Sequence, residues 1–528
     1  MHVALELKRG DEGSVVEQDD QRATFSFLET IASYGENVER IERIDTHTSV
    51  VFLAGKHAYK LKRAVRFSYL NFSTVALREA SCRAEVALNA RTAPDLYLAV
   101  RSITRAPGGT LSFEGAGDPI DWVVVMLRFD QGLLFDRMAA NGALDERLME
   151  RLSAEIARFH AAAERTPHIG GRASIEAEIA GNEQNLALVP PQIFARDTVT
   201  TLVANWRVEL QRYGTLLDRR SEGGKVRRCH GDLHLRNICL WQDRPTLFDC
   251  IEFNDHLSCI DVLYDVAFLL MDLRHRGLDG FASVVFNAYL DCSDETDGIA
   301  ALPLLMSLRA AIRAHTGVAA AHSQIDAGER ETKLDEACAY LLLSQRLLRG
   351  EEPRLIAIGG LSGTGKSTLA RALAPEVGRA PGARLFHTDA LRKRLYGVAK
   401  DDRLAAEAYE SAVSERVYRI LREEAAAALR AGWSVIVDGV FACAQERAVI
   451  EATARECGVP FTGLWLSASS DILRARVLRR RADMSDATVF VLERQLEAAL
   501  GEIDWFAIDA AGEPADCAGL ARVAIVRR

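Results

Sequence analysis

The chain has 528 residues, 48% of them hydrophobic, with 65 lysines plus arginines against 74 aspartates plus glutamates and a formal net charge of -9. At about 150 residues per domain this length predicts two to four domains with sizeable cores, and the acidic balance weighs against nucleic acid as a partner. No apolar run approaches the roughly 20 residues needed to cross a bilayer, and the N-terminus lacks the apolar stretch of a signal peptide, so the expectation is a cytoplasmic protein without a membrane partner.

Residues 1–20 are acidic and polar and read as a flexible tail. Ser49 to Leu53 is an apolar β-type run, Gly55-Lys56-His57 a turn, and Ala58 to Lys62 an alternating run, which together predict a hairpin. A helix follows from about Thr74 to Arg91, begun by Ser73 or Thr74 and stopped before Pro94. Glu79 and Glu85 lie along it, and a glutamate there could pair with a lysine on the strand. Lys60 and Lys62 alternate onto the same strand face, so spacing does not separate them. Trp122 to Leu127 predicts a further strand, and helical segments are expected around Leu144 to Glu164 and Leu202 to Leu217. Strands come first and helices after, an α+β order. Ten cysteines without a C-x-x-C pair predict reduced thiols rather than a zinc site or a disulfide framework.

The chemistry of this half sits in Cys229-His230-Gly231-Asp232-Leu233-His234-Leu235-Arg236-Asn237, followed by Leu247-Phe248-Asp249. An aspartate with an asparagine five positions later has the D-x-x-x-x-N spacing of a kinase catalytic loop, where one side chain accepts the proton of an acceptor hydroxyl and the other holds Mg²⁺. Asp249 supplies a second hard oxygen ligand for such an ion.

With these residues the segment resembles the aminoglycoside phosphotransferases, which carry H-G-D-x-H-x-x-N and phosphorylate hydroxyls of small molecules. The resemblance implies a protein-kinase-like domain over 21–345, Asp232 as catalytic base, Asn237 and Asp249 as metal ligands, and Lys60 with Glu85 at the ATP phosphates. Asp261-Val262-Leu263-Tyr264-Asp265 resembles the helix-starting G-D-x-x-x-D segment of that group. No G-x-G-x-x-G loop precedes the hairpin; Asp45-Thr46-His47-Thr48-Ser49 stands there instead, which leaves an inactive pseudokinase as an alternative.

Residues 346–353 combine glycine, charge and proline and suit a linker. From 354 to 528 strands and helices alternate: Leu355 to Ile358, a helix over Ser367 to Leu373, Arg384 to Thr388, a long alanine-rich helix over Leu404 to Ala431, and Ser434 to Val437. That order predicts a parallel α/β sheet. Gly360-Leu361-Ser362-Gly363-Thr364-Gly365-Lys366-Ser367 fits G-x-x-x-x-G-K-[ST] between the first strand and its helix. Loop amides from Gly360, Ser362, Gly363, Thr364, Gly365 and Thr368 and the positive end of the helix suit a polyphosphate, Lys366 the β/γ-phosphates and Ser367 a Mg²⁺ ion. Asp438 ends a strand as a Walker-B-like carboxylate would. Asp389 also follows a strand, with Arg392 one turn later.

Asp389 and Arg392 in T-D-A-L-R-K-R-L resemble the P-loop small-molecule kinases: gluconate kinases, zeta-toxin-type kinases and the kinase domain of polynucleotide kinase. That resemblance implies Asp389 as base and Arg476 and Arg480, on one helix face, as lid arginines over the transferring phosphoryl group. The whole layout resembles a bacterial fusion of an aminoglycoside phosphotransferase-like domain with a zeta-toxin or gluconate-kinase-like ATP-binding domain. The function expected is an ATP- and Mg²⁺-dependent phosphotransferase acting on a hydroxyl of a small molecule, with two nucleotide sites. The alternatives are a nucleotide-dependent switch or toxin-antitoxin-like ATPase, and a kinase of nucleic-acid ends.

Overall fold

The computed structural model describes residues 20–35, 38–67, 69–322, 326–398, 402, 404, 406–479, 489–497 and 500–526. The predicted tail, but for Asp20, lies outside them. The chain forms two compact units, Met1–Arg276 with Leu304–Leu348, and Gly277–Pro303 with Arg349–Arg528.

The first unit opens with a six-stranded antiparallel sheet built from β1 (Ile41–Asp45), β2 (Ser49–Ala54) and β3 (His57–Lys62), then β4 (Tyr97–Arg105), β5 (Leu111–Phe113) and β6 (Asp118–Leu127) across α1 (Val75–Asn89), in the order β1-β2-β3-β6-β4-β5. The predicted hairpin is β2-β3. Period-two alternation sends Tyr59, Leu61, Val123 and Val125 to one face, and Ala58, Val124 and Met126 to the face covered by α1. Lys60 and Lys62 share the parity of Ala58, so both point at the helix. Thr74 caps α1, its Oγ1 accepting from the Leu77 amide at 3.3 Å.

The rest of this unit is mostly helical: α2 (Glu146–Ala162), α3 (Gly171–Leu188) and α4 (Arg196–Glu222). Leu202 to Leu217 is the middle of α4, and α3 was not expected because its polar residues blur a helical stripe. Short strands β7 (Val226–Arg228), β8 (Ile238–Trp241), β9 (Arg244–Leu247) and β10 (Cys259–Asp261) frame the 229–237 loop, β8 pairing with β9 and β7 with β10. Then comes α5 (Val262–His275), capped by the Asp261 side chain, which accepts from the Leu263 amide at 2.8 Å.

The second unit takes in α6 (Asp279–Cys292), whereas α7 (Leu302–His322) from Leu304 onward and α8 (Ala327–Leu347) belong to the first. It continues with β11 (Leu355–Gly359), α9 (Lys366–Leu373), β12 (Arg384–His387), α10 (Thr388–Tyr396), α11 (Ser411–Arg430), β13 (Val435–Asp438), α12 (Ala444–Cys457), β14 (Phe461–Ser467), α13 (Ser470–Arg479), α14 (Val489–Glu497), β15 (Phe506–Asp509) and α15 (Pro514–Val526). The strands form an all-parallel sheet in the order β12-β13-β11-β14-β15. Apolar runs such as Leu355–Gly359, buried throughout, suit strands covered on both faces. The helix expected from Leu404 starts at Ser411, after a 3-10 turn at Ala406–Tyr409.

The predicted boundary, with residues up to 345 in one domain, differs from this division in one respect: residues 277–303 cluster with the P-loop unit. The reason is α6. Asn287 Oδ1 accepts from the Leu385 amide at 2.8 Å and its Nδ2 donates to the Ala383 carbonyl at 3.1 Å, so a side-chain amide pairs the open edge of β12. Arg384 adds an ion pair to Asp291 at 2.5 Å. Among the described residues no helix is long and apolar enough to cross a membrane.

Candidate active sites

In the first unit the charged groups neutralise one another in pairs. Lys60 Nζ lies 2.8 Å from Glu85 Oε1 and 2.5 Å from Asp249 Oδ1. Lys62 Nζ lies 2.6 Å from the other Glu85 oxygen and 2.6 Å from Glu252 Oε1. Burial works against the charge on Lys60, yet Asp249 and Glu85 hold its ammonium well above the ordinary value. Burial likewise pushes the Glu85 carboxyl up, but the two lysines prevail and bring it down to about 2. Asp249 is held with φ at 62°, a left-handed backbone for a non-glycine, and its amide donates to Tyr97 Oη at 3.1 Å.

The 229–237 loop is fixed from behind by α5. Asp265 accepts from the His230 and Gly231 amides at 3.0 and 2.9 Å and lies 3.1 Å from His160 Nε2. Burial lowers the His230 pKa, favouring a neutral ring whose Nε2 donates to the Phe248 carbonyl at 2.9 Å while Nδ1 accepts from the Asp232 amide at 3.3 Å. This ties the loop to the strand end that carries Asp249. Asn237 Nδ2 donates to both the carbonyl and Oδ2 of Asp232 at 3.0 Å, and His234 Nε2 is 3.4 Å from the same carboxylate. Burial opposes ionisation of Asp232, but the His234 charge and hydrogen bond outweigh it and hold the carboxyl well below the usual range. His160, Cys229 and Asp265 form a buried trio of metal-ligating types. Asp265 gives both oxygens to loop amides and Cys229 Sγ donates to the Ile260 carbonyl at 3.4 Å, so the trio serves as scaffold.

In the second unit the site is mostly backbone. Gly363 and Gly365 hold φ at 92° and 90°, and Gly365 is the N-cap of α9. A Cβ on Gly363 would lie 3.0 Å from the Leu473 carbonyl, whereas one on Gly365 would meet nothing within 4 Å, because that residue opens on a cavity. This loop with a helix N-terminus behind it suits a polyphosphate. The cavity, about 350 Å³, is lined by Lys366, Ser367, Asp389, Arg392, Asp438 and Gln495 among others.

Parallel register sets His387 beside Asp438, with Nδ1 to Oδ2 at 2.8 Å. Burial opposes both charges, but each partner stabilises the other, so His387 is raised and Asp438 lowered, the latter helped by the Ser367 hydroxyl. The oxygens of Ser367 and Asp438 are hard donors of the type Mg²⁺ takes. Arg392 is 6% exposed, donates to the Ala408 carbonyl at 2.7 Å and to Ser414 Oγ at 3.3 Å, and stacks over Tyr409 at 4.7 Å.

Of the residues expected from sequence, the structure brings Lys60, Glu85 and Asp249 together, Asp232 with Asn237, and Lys366, Ser367, Asp389, Arg392 and Asp438 around one cavity. Gly360 opens the loop with φ at 145°, and Thr364 Oγ1 donates to the Leu361 carbonyl at 2.8 Å. Gly365 and Thr368 border both this cavity and a second of about 260 Å³. Arg476 lines that second cavity, donating to the Ala510 carbonyl at 2.7 Å, and does not stand beside Asp389. On the same helix, Leu473 and Val477 pack with Leu361 of the loop. Arg480 lies outside the described residues. Sequence reasoning overlooked Glu252, the second partner of Lys62, as well as His387 and Gln495. His387 was legible in principle, since two parallel neighbours ending in His387 and Asp438 place those side chains together.

A family model described as "Phosphotransferase enzyme family" matches residues 75–302, and one described as "AAA domain" matches residues 355–503. An uncharacterized protein of Mycobacterium tuberculosis is 30% identical over 480 residues, 89% of this chain and 92% of its own. The chain belongs to that two-domain family. It is a kinase-type phosphotransferase with a protein-kinase-like first domain and a P-loop kinase second domain. Among solved structures it is similar to a choline/ethanolamine kinase family protein from Mesorhizobium loti (14% identity, TM-score 0.36, 61% of this chain and 98% of that one) and a gluconokinase from Sinorhizobium meliloti (24%, 0.24, 33% and 95%).

Proposed function

We propose that the P-loop unit transfers the γ-phosphoryl group of ATP to a hydroxyl of a small molecule. The observation that carries this is the single cavity holding Lys366, Ser367 and Asp438 on one side and Asp389 with Arg392 on the other. Lys366 and the loop amides bind phosphates, Ser367 and Asp438 offer oxygens to Mg²⁺, which would neutralise charge on the phosphates, and Asp389 accepts the hydroxyl proton. Arg392, anchored on Ala408 and Ser414, orients the acceptor. The contribution of these groups is positioning and electrostatics.

In the first unit Asp232 takes the base role, Asn237 and Asp249 the metal-ligand role, and Lys60, held by Glu85, the phosphate contact. Lys60 rather than Lys62 is favoured by its bond to Asp249. The test is Asp389→Asn in the intact protein given labelled ATP and a metabolite mixture. A phosphorylated acceptor made by wild type should form about 10²- to 10⁴-fold more slowly in the variant while ATP binding stays near wild type. Phosphate release without any phosphorylated acceptor would favour a nucleotide-dependent switch instead.

A further inference from the structure

The Ser362 amide, third in the phosphate loop, donates at 2.8 Å to Oε1 of Gln495, which comes from α14, 133 residues later. A backbone N–H can only donate, so the Gln495 atom it meets is the carbonyl oxygen, and the amide orientation is thereby assigned. The Nε2 group, with two donors, is left for the cavity that Gln495 lines together with Ser362, Lys366 and Asp389. Among the described residues that Nε2 makes no hydrogen bond.

The polyphosphate has a direction here. Gly365 and Thr368 border both cavities, so a nucleotide runs across the loop between them. Asp389 and Arg392 mark the larger cavity as the transfer end, and the terminal phosphoryl group therefore lies on the Gln495 side. The α14 backbone is held there by apolar packing: Leu492 joins Leu473 and Val477, with Leu361 of the loop, Val489 and Leu496 against them. Arg474 adds two bonds to Glu493, at 2.7 and 3.0 Å.

We propose that Gln495 reads the γ-phosphate: seated on the loop by its carbonyl, it donates from Nε2 to the terminal phosphoryl oxygens and so distinguishes nucleoside triphosphate from diphosphate. This rests on the nucleotide-binding reading of the P-loop. A neutral amide suits the task, since it satisfies a loop donor with one end and an anion with the other.

The test is calorimetry of ATP and ADP binding to the full chain, the P-loop component being the part lost in Lys366→Ala. Gln495→Met removes both functions of the amide at similar volume. Gln495→Glu keeps an acceptor for Ser362 but replaces the donors with negative charge, and so covers the case in which the methionine variant fails to fold. Expected is at least about a tenfold loss of ATP affinity with ADP affinity unchanged, larger for the glutamate variant, in line with the 1.4 kcal/mol or more that a hydrogen bond to a charged group contributes. Parallel weakening of ATP and ADP, or an unchanged ratio, overturns the role of Gln495 and leaves the site intact. Wild type without any Lys366-dependent nucleotide heat overturns the nucleotide site and this inference together.

Discussion

The two candidate sites are built from opposite materials. In the first unit, side chains from segments far apart in sequence are matched in charge: Lys60 meets Asp249 across 189 residues, and Lys62 meets Glu252 across 190. In the second, most of the cradle is one octapeptide whose amides and glycines do the work. Removing a side chain from the first arrangement strands a buried charge, so function and folding are coupled there. The same operation in the second leaves the backbone in place.

The largest expected effect separates the two chemistries. Asp232→Asn and Asp389→Asn should each slow formation of a different phosphorylated product by about 10²- to 10⁴-fold, followed by mass spectrometry of labelled products. Loss of one shared product in both variants would mean a single functional site. Next comes Glu85→Gln, which leaves two buried lysines short of their shared counter-charge and should destabilise the first unit by about 3–5 kcal/mol in chemical denaturation. Asp389→Asn should leave unfolding nearly unchanged, and a comparable loss in both would erase the contrast. Smaller is Asn287→Ala, which uncovers the β12 edge and should cost the second unit about 1–3 kcal/mol, read by hydrogen exchange at Leu385.

The smallest effect is a pH dependence. The folded pKa of Glu85 lies below its ordinary value, near 2 against 4.5. Its stabilisation is therefore fully present above pH 4.5 and fades as pH falls towards 2. The melting-temperature gap between wild type and Glu85→Gln should be constant above pH 5 and narrow below 4.5. A gap that widens on acidification would contradict the assignment.

Legibility in the sequence follows the same division. The phosphate loop could be read because it is contiguous and its glycines serve a local backbone need. The loop from His230 to Asn237 could be read for the same reason, and the strands β2 and β3 because an apolar run and an alternating one flank the turn at Gly55-Lys56-His57. Lys60 and Lys62 could not be told apart, since parity is the same and only Asp249 and Glu252, distant in sequence, distinguish them. Gln495 gave no signal, as a lone glutamine on a helix acquires meaning only when apolar packing sets it on the Ser362 amide. The bond from Arg476 to the Ala510 carbonyl was not foreseen, because helical spacing says which residues share a face, not which way that face turns.

The path of the chain through α6 has a consequence for dissection. Residues 277–303 are made before α7 and α8, yet they close the edge of a sheet whose first strand is made only afterwards. One cut near position 348 therefore releases neither half whole: the upstream fragment keeps a helix that has lost its sheet, and the downstream fragment exposes β12 to self-association. Clean separation requires two breaks and a graft, with α6 rejoined to the downstream piece.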